Sequence, residues 1–289
     1  SDLRIFNEYN RRKGEVLDYD DLGFELFFNI DKINDRDKFD HIFVDEGQDL
    51  QQVQLFILRN IARKSFFIAA DIGQKIYKTS FTWKDIGLNI SGGRTKVLKD
   101  SFRSTKQIVQ LANSLQEKDS IVNDEEFVSA TLPKREGPVP LLVECSSYQE
   151  QMSEVIESLK QIVEGNKKRT VGILIRERKG VDIVSKRLKS LGIPHDNLLT
   201  KDGDPYTPGI KLSTIHSSKG LQFDFVLIIN LVEPKLGSEI DLEEYWNMMR
   251  RLLYVGITRA TTMVNLYYYG KPMKILHDLN EDFYDKVVL

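Results

Sequence analysis

The run His41-Ile42-Phe43-Val44-Asp45-Glu46-Gly47-Gln48-Asp49 ends an apolar stretch in two adjacent carboxylates. If that stretch is a strand, Asp45 falls at the carboxyl edge of a sheet, where it can hold Mg²⁺, and Glu46 falls where it can polarise a water molecule. Alone, the pair reads more simply as a solvated acidic turn. Four further runs change that balance. Phe66-Phe67-Ile68-Ala69-Ala70-Asp71-Ile72-Gly73-Gln74-Lys75-Ile76-Tyr77 is again a predicted strand ending in polar groups, with Gln74 able to donate to a terminal phosphate oxygen. Val97-Leu98-Lys99-Asp100-Ser101-Phe102-Arg103-Ser104-Thr105 reads as strand, corner and helix start, and puts the Arg103 guanidinium where it could reach phosphate oxygens. Lys211 to Asp224, with Thr214, His216, Ser217, Ser218, Lys219, Gly220 and Gln222, makes a backbone-rich anion site after a strand. Arg251 to Ala260 is an apolar helix ending in Thr258-Arg259, a second guanidinium for a phosphate.

Something must hold these residues in place, and the pattern names it. Short β-branched runs alternate with amphipathic stretches, which predicts parallel βαβ units and an α/β class. Predicted strands are His41–Asp45, Ser65–Ala70, Lys96–Lys99, Leu141–Cys145, Thr170–Ile175, Ile210–Thr214, Phe225–Asn230 and Val264–Tyr269. Predicted helices cover Leu50–Arg63 and Ser104–Leu115, and a third starts near Ser147, where Ser147 and Glu150 have capping-box spacing. Val184, Leu188 and Leu191 fall on one helical face, with Gly192 as the C-terminal cap. The stretch Asp119–Pro140 reads as a surface excursion closed by a turn at Glu136-Gly137-Pro138, and Ile193–Gly209 as a second loop.

The chain has 289 residues, 41% of them hydrophobic, which is enough for two domains with their own cores. A formal charge of −2 advertises no global nucleic-acid field, so a DNA site must be a local patch. The lone Cys145 suits a reducing compartment and is expected in a buried strand. No apolar run approaches the roughly 18 residues that span a bilayer, so the expectation is a cytoplasmic protein with no membrane partner.

Taken in order, the five runs resemble motifs II, III, IV, V and VI of the UvrD/Rep/PcrA-like superfamily 1A DNA helicases, over about residues 17 to 269. The acidic-aromatic segment Leu17-Asp18-Tyr19-Asp20-Asp21-Leu22 is also similar to one upstream of motif II in that family. The resemblance implies part of a RecA-like domain 1A over residues 1–93, then a more complete RecA-like domain 2A over 94–289 with no large 2B insertion. It implies that ATP and Mg²⁺ are the cofactors, that Asp45 binds the metal, that Glu46 activates water and that Gln74 contacts the γ-phosphate. Arg103 and Arg259 match the two arginine fingers. Phe102 stands where a tyrosine usually stacks on adenine, with Gly220 and Gln222 also on the nucleotide side. Thr214 and His216 match residues that touch single-stranded DNA or relay the nucleotide state, and Tyr77 matches an aromatic near the bases.

The chain departs from the pattern in several places. Gln222 replaces a glutamate, which keeps a hydrogen bond to ribose but removes the charge. Thr79 replaces the motif III tryptophan, for which Phe81 and Trp83 could substitute as stacking platforms. No G-x-x-x-x-G-K-[ST] occurs anywhere. The expectation is therefore a fragment of a 3′–5′ translocase or helicase acting on single-stranded DNA or a duplex/single-strand junction. It needs a further N-terminal segment carrying the phosphate loop and is inactive without it. The competing expectation is a helicase-like binding or regulatory module that does not turn over ATP.

Overall fold

A computed structural model describes residues 2–71, 87, 96–98, 103–123, 129–165 and 168–289. Ser1–Asp71 fall in one compact unit and Val97–Leu289 in another.

In the first unit, α1 (Asp2–Lys13) and α2 (Tyr19–Phe28) precede β1 (Phe39–Val44), α3 (Gln52–Asn60) and β2 (Ala62–Ile68). The acidic-aromatic segment turns α1 into α2: Asp18 accepts from the Asp21 N–H at 3.0 Å and Asp21 accepts from the Asp18 N–H at 2.8 Å, a reciprocal cap. Tyr9 and Lys13 of α1 donate to Asp18 at 2.7 and 3.1 Å. The Asp21 N–H, then Tyr9 and Lys13, hold the Asp18 carboxyl well below the usual carboxylate range. β1 and β2 pair in parallel, with Val44 opposite Ile68. Ile42, Val44, Phe66 and Ile68 pack with Leu55 of α3. That helix is shorter than the predicted Leu50–Arg63, because Ile61 leaves helical geometry and Ala62 already pairs with Phe39.

The second unit carries α4 (Lys106–Gln116), β3 (Leu141–Cys145), α5 (Tyr148–Gly165), β4 (Thr170–Ile175), α6 (Arg178–Ser190), β5 (His195–Asn197), β6 (Gly209–Thr214), β7 (Phe223–Ile229), α7 (Leu242–Thr258), β8 (Ala260–Tyr269) and β9 (Asp285–Val288). Its seven strands are all parallel, in the order β5-β6-β4-β7-β8-β3-β9. Alternation along each strand feeds two cores. Val226 and Ile228 join α4 and α7 on one face, whereas Leu227 and Ile229 join α5 and α6 on the other. This is the α/β arrangement of parallel strands flanked by helices that the sequence pattern predicts.

Three local expectations change. Val97 and Leu98 are exposed and, with Lys96, lie outside any strand, so the run predicted over Lys96–Lys99 is not a strand in its described part. β5 and β9 appear where no strand is predicted. The α5 cap is split: the Glu150 N–H donates to Ser147 Oγ at 3.2 Å, but the Glu150 carboxylate accepts from Ser146 N and Oγ, at 2.6 and 2.7 Å, and not from Ser147. Cys145 is buried in β3, where burial first, then Glu150 and Glu154, push its thiol up to about 11. Among the described residues no helix is long and apolar enough to cross a membrane.

Candidate active site

In the first unit, Asp45 is exposed immediately after β1. Glu46 follows with φ 51° and ψ 40°, a left-handed conformation that costs a side-chain-bearing residue roughly 1–3 kcal/mol. The turn is fixed from both sides. Ala69 N–H donates to Val44 O at 2.8 Å and Gly47 N–H to Ala69 O at 2.9 Å, so the ladder between the two strands runs straight past Glu46. The Glu46 N–H donates to Asp45 Oδ1 at 2.9 Å. Buried Gln48 then donates from Nε2 to Glu46 Oε2 at 2.5 Å, while its Oε1 accepts from the Asp71 N–H at 2.9 Å. One amide thus ties the Glu46 carboxylate to the segment that follows β2. Gln48 was not among the predicted site residues, although its place two positions after the acid is the signal that could have found it.

Gly47 has no room for a side chain, since a Cβ there would lie 2.5 Å from Ile68 Cδ1 and 2.6 Å from Ile68 Cγ1. Gly47→Ala is expected to lower the stability of this unit by about 1–3 kcal/mol through overpacking. Urea denaturation measures it, and an unchanged midpoint would show that Ile68 moves aside freely.

An exposed carboxylate at a strand end fits Mg²⁺, which takes one or two protein carboxylates and fills its octahedron with water and phosphate oxygens. Among the described residues no cluster of three or more acids, histidines or cysteines offers a self-sufficient metal cage. Asp45 suits a metal that arrives with its nucleotide.

In the second unit, Arg103 and Arg259 lie 156 positions apart in sequence but at neighbouring places. The adjacent residues join them: buried Ser104 donates from Oγ to Ala260 O at 2.7 Å. Both guanidiniums meet the dipeptide Leu221-Gln222, which leads into β7. With the Gln222 amide turned so that its oxygen faces Arg103, it accepts from Nε at 3.1 Å and from Nη2 at 3.2 Å. Arg259 donates from Nη1 to Leu221 O at 3.3 Å, from Nε to Val255 O at 3.0 Å and from Nη2 to Thr258 Oγ1 at 3.2 Å. The two arginines differ in access. Arg103 is exposed, but Arg259 is only 1% exposed, so the guanidinium expected to be offered to a phosphate is turned inward here onto the end of α7. These residues gather at the amino ends of β7 and β8, unlike the carboxyl-end position of Asp45 and Glu46 in the first unit.

Thr214 and His216 lie at the other end of the sheet, where β6 finishes. Thr214 is buried and its Oγ1 accepts from the Ser217 N–H at 3.0 Å, closing a 3₁₀ turn over His216–Ser218, while His216 is exposed. Gly220, with φ +80°, is exposed two residues before Gln222 and occupies the left-handed region that glycine tolerates. Gln74, Tyr77, Thr79, Phe81, Trp83 and Phe102 lie outside the described residues.

Two segments of the chain match family models. Residues 3–82 match the UvrD/REP helicase N-terminal domain, and residues 195–271 match the UvrD-like helicase C-terminal domain. The chain belongs to the UvrD/Rep-like helicase family. A protein called "Probable DNA helicase II homolog" in Mycoplasma capricolum is 27% identical over 194 residues, covering 63% of this chain and 26% of that protein. A "Probable DNA helicase" of Mycoplasma pneumoniae is 28% identical over 247 residues, covering 76% of this chain and 42% of that one. DNA helicase II of Escherichia coli is 34% identical over 99 residues, covering 30% of this chain and 14% of the relative. The chain thus spans less than half the length of each of these UvrD/Rep-like relatives.

Proposed function

We propose that this UvrD/Rep-like chain is the motif II to VI portion of an ATP-dependent DNA translocase or helicase, moving 3′ to 5′ on single-stranded DNA. The first unit supplies Asp45 as the Mg²⁺ ligand and Glu46 as the group that takes a proton from the attacking water. The metal, when bound, neutralises phosphate charge. The second unit supplies Arg103 to the phosphate, with Arg259 holding Leu221-Gln222 in place. Gln74 senses the γ-phosphate, and Phe102, Gly220 and Gln222 serve the nucleotide. Thr214 and His216, with Tyr77 and Trp83, contact the DNA.

The observation that carries the reading is the meeting of both arginines on one dipeptide, with Arg103 exposed. A binding scaffold has no chemical need for that construction, whereas phosphoryl transfer is mostly positioning and charge stabilisation. The alternative is a helicase-like module that binds nucleic acid or protein without turnover.

One measurement separates the two readings. Steady-state ATP hydrolysis by the full-length protein is expected to be stimulated by single-stranded DNA, and the isolated 289-residue chain is expected to hydrolyse ATP negligibly. Full-length protein that binds DNA yet shows no DNA-stimulated turnover would establish the module instead.

A further inference from the structure

We propose that Arg135 is a positioning residue for Arg103, acting through a strap of residues Arg135–Gly137 laid across the N-terminus of α4; this rests on the reading of Arg103 as the phosphate-contacting group. In the sequence this stretch shows only the signature of a closing turn. The structure shows why α4 needs it. Thr105 is the N-cap residue, but its side chain makes no capping bond, and its buried Oγ1 has no hydrogen-bond partner among the described residues. The strap caps the helix in its place: the Lys106 N–H donates to Arg135 O at 2.8 Å. Next along, the Gly137 N–H donates to Gln107 Oε1 at 2.8 Å, the Gln107 amide donates back to Glu136, and Lys106 Nζ lies 3.3 Å from Glu136 Oε1. Gly137 sits so close to Thr105 that a Cβ would fall 2.5 Å from Thr105 Cγ2.

The Arg135 side chain extends this seal to the residue that matters. Its Nη1 donates to Arg103 O at 3.3 Å, and its Nη2 donates to Thr262 Oγ1 of β8 at 3.2 Å. Arg103 is therefore gripped twice, at its carbonyl by Arg135 and at its guanidinium by Gln222. An exposed arginine side chain has many rotamers, and fixing the backbone from which it springs limits where its end can go. Arg135 is itself exposed, so its bonds to Arg103 and Thr262 add little to the buried core. Its effect should appear in the placement of the guanidinium.

The test is a double-mutant cycle in the full-length protein, read as DNA-stimulated ATP hydrolysis. Arg135→Ala is expected to lower kcat about tenfold with KM for ATP within about twofold, a tenth of the roughly hundredfold loss that a 1 Å misplacement can cause. Arg135→Lys should recover only part of the loss, because one ammonium is a poor substitute for a fork with two acceptors. In an Arg103→Ala background, Arg135→Ala should cause no further loss, because its effect passes through the missing guanidinium. Thr262→Val removes only the far anchor; it should show the same dependence on Arg103 and serves if Arg135→Ala does not fold. Wild-type kcat in Arg135→Ala or Thr262→Val, or losses that add in full to that of Arg103→Ala, would overturn the strap's role while leaving the site intact. Wild-type kcat in Arg103→Ala itself would instead overturn the reading on which the strap rests.

Discussion

Arg103→Ala in the full-length protein is expected to reduce kcat for DNA-stimulated ATP hydrolysis by about 10³-fold or more, with KM for ATP changed far less. A guanidinium that stabilises charge on a transferring phosphoryl group is worth about 10³ to 10⁵ in rate, because its contact strengthens only as that charge develops. Arg103 is exposed, and its side chain is oriented by two hydrogen bonds to one Gln222 oxygen. Lysine should not restore the rate, since a single ammonium on a flexible stem cannot reproduce the Nε and Nη2 pair that the amide holds. Steady-state kinetics at saturating DNA would measure both variants. A kcat within tenfold of wild type for Arg103→Ala would remove the residue from the chemistry.

The second large effect belongs to Glu46→Gln, for which a loss of about 10²- to 10⁴-fold in kcat is expected, the usual range for a positioned general base. Nucleotide binding should survive, because the substitution keeps shape and leaves Asp45 untouched. The local fold should survive as well: a glutamine at 46 can turn its carbonyl oxygen towards Gln48 Nε2, which now donates to Glu46 Oε2 at 2.5 Å. Equilibrium titration with a fluorescent ATP analogue beside single-turnover hydrolysis would separate binding from chemistry. Hydrolysis at the wild-type rate would assign water activation to another group.

How much of this was legible in the sequence depended on where the stabilising contacts lie. β3 and β4 have the predicted bounds, Leu141–Cys145 and Thr170–Ile175, because strands covered on both faces read as largely apolar runs. β5 is His195-Asp196-Asn197, with no such run. It is held by its neighbour's ladder and by buried Lys211 of β6, which pairs with Asp196 and donates to Thr207 Oγ1 at 2.7 Å. Partners on other elements leave no periodic trace. The converse error is Val97-Leu98, apolar enough to suggest a strand but 51% and 94% exposed.

The site divides in the same way. The resemblance supplied Glu46 and Arg103 as residue types in motifs, whereas the Gln48 bridge and the grip on Arg103 by Arg135 and Gln222 are three-dimensional facts. The assignments of Gln74, Tyr77 and Phe102 come from motif position alone, and that of Trp83 from its nearness to Thr79, where the family has a tryptophan.

The link from β6 to β7 is short. Residues 215–222 join the finish of one parallel strand to the start of another with β4 between them, where a crossover ordinarily takes about a dozen residues or more. Returning along a strand of six or seven residues requires about 20 Å, and two strand spacings put the ends about 10 Å apart sideways, about 22 Å in all. Nine peptide steps reach at most about 30 Å, and the 3₁₀ turn at His216–Ser218 shortens that. The segment is a short tether, with a few Å to spare, between Thr214 at one end and Gln222 at the other. A displacement near His216 large enough to use up that spare length would pull on the Arg103–Gln222 contact or tear the Ser217–Thr214 hydrogen bond.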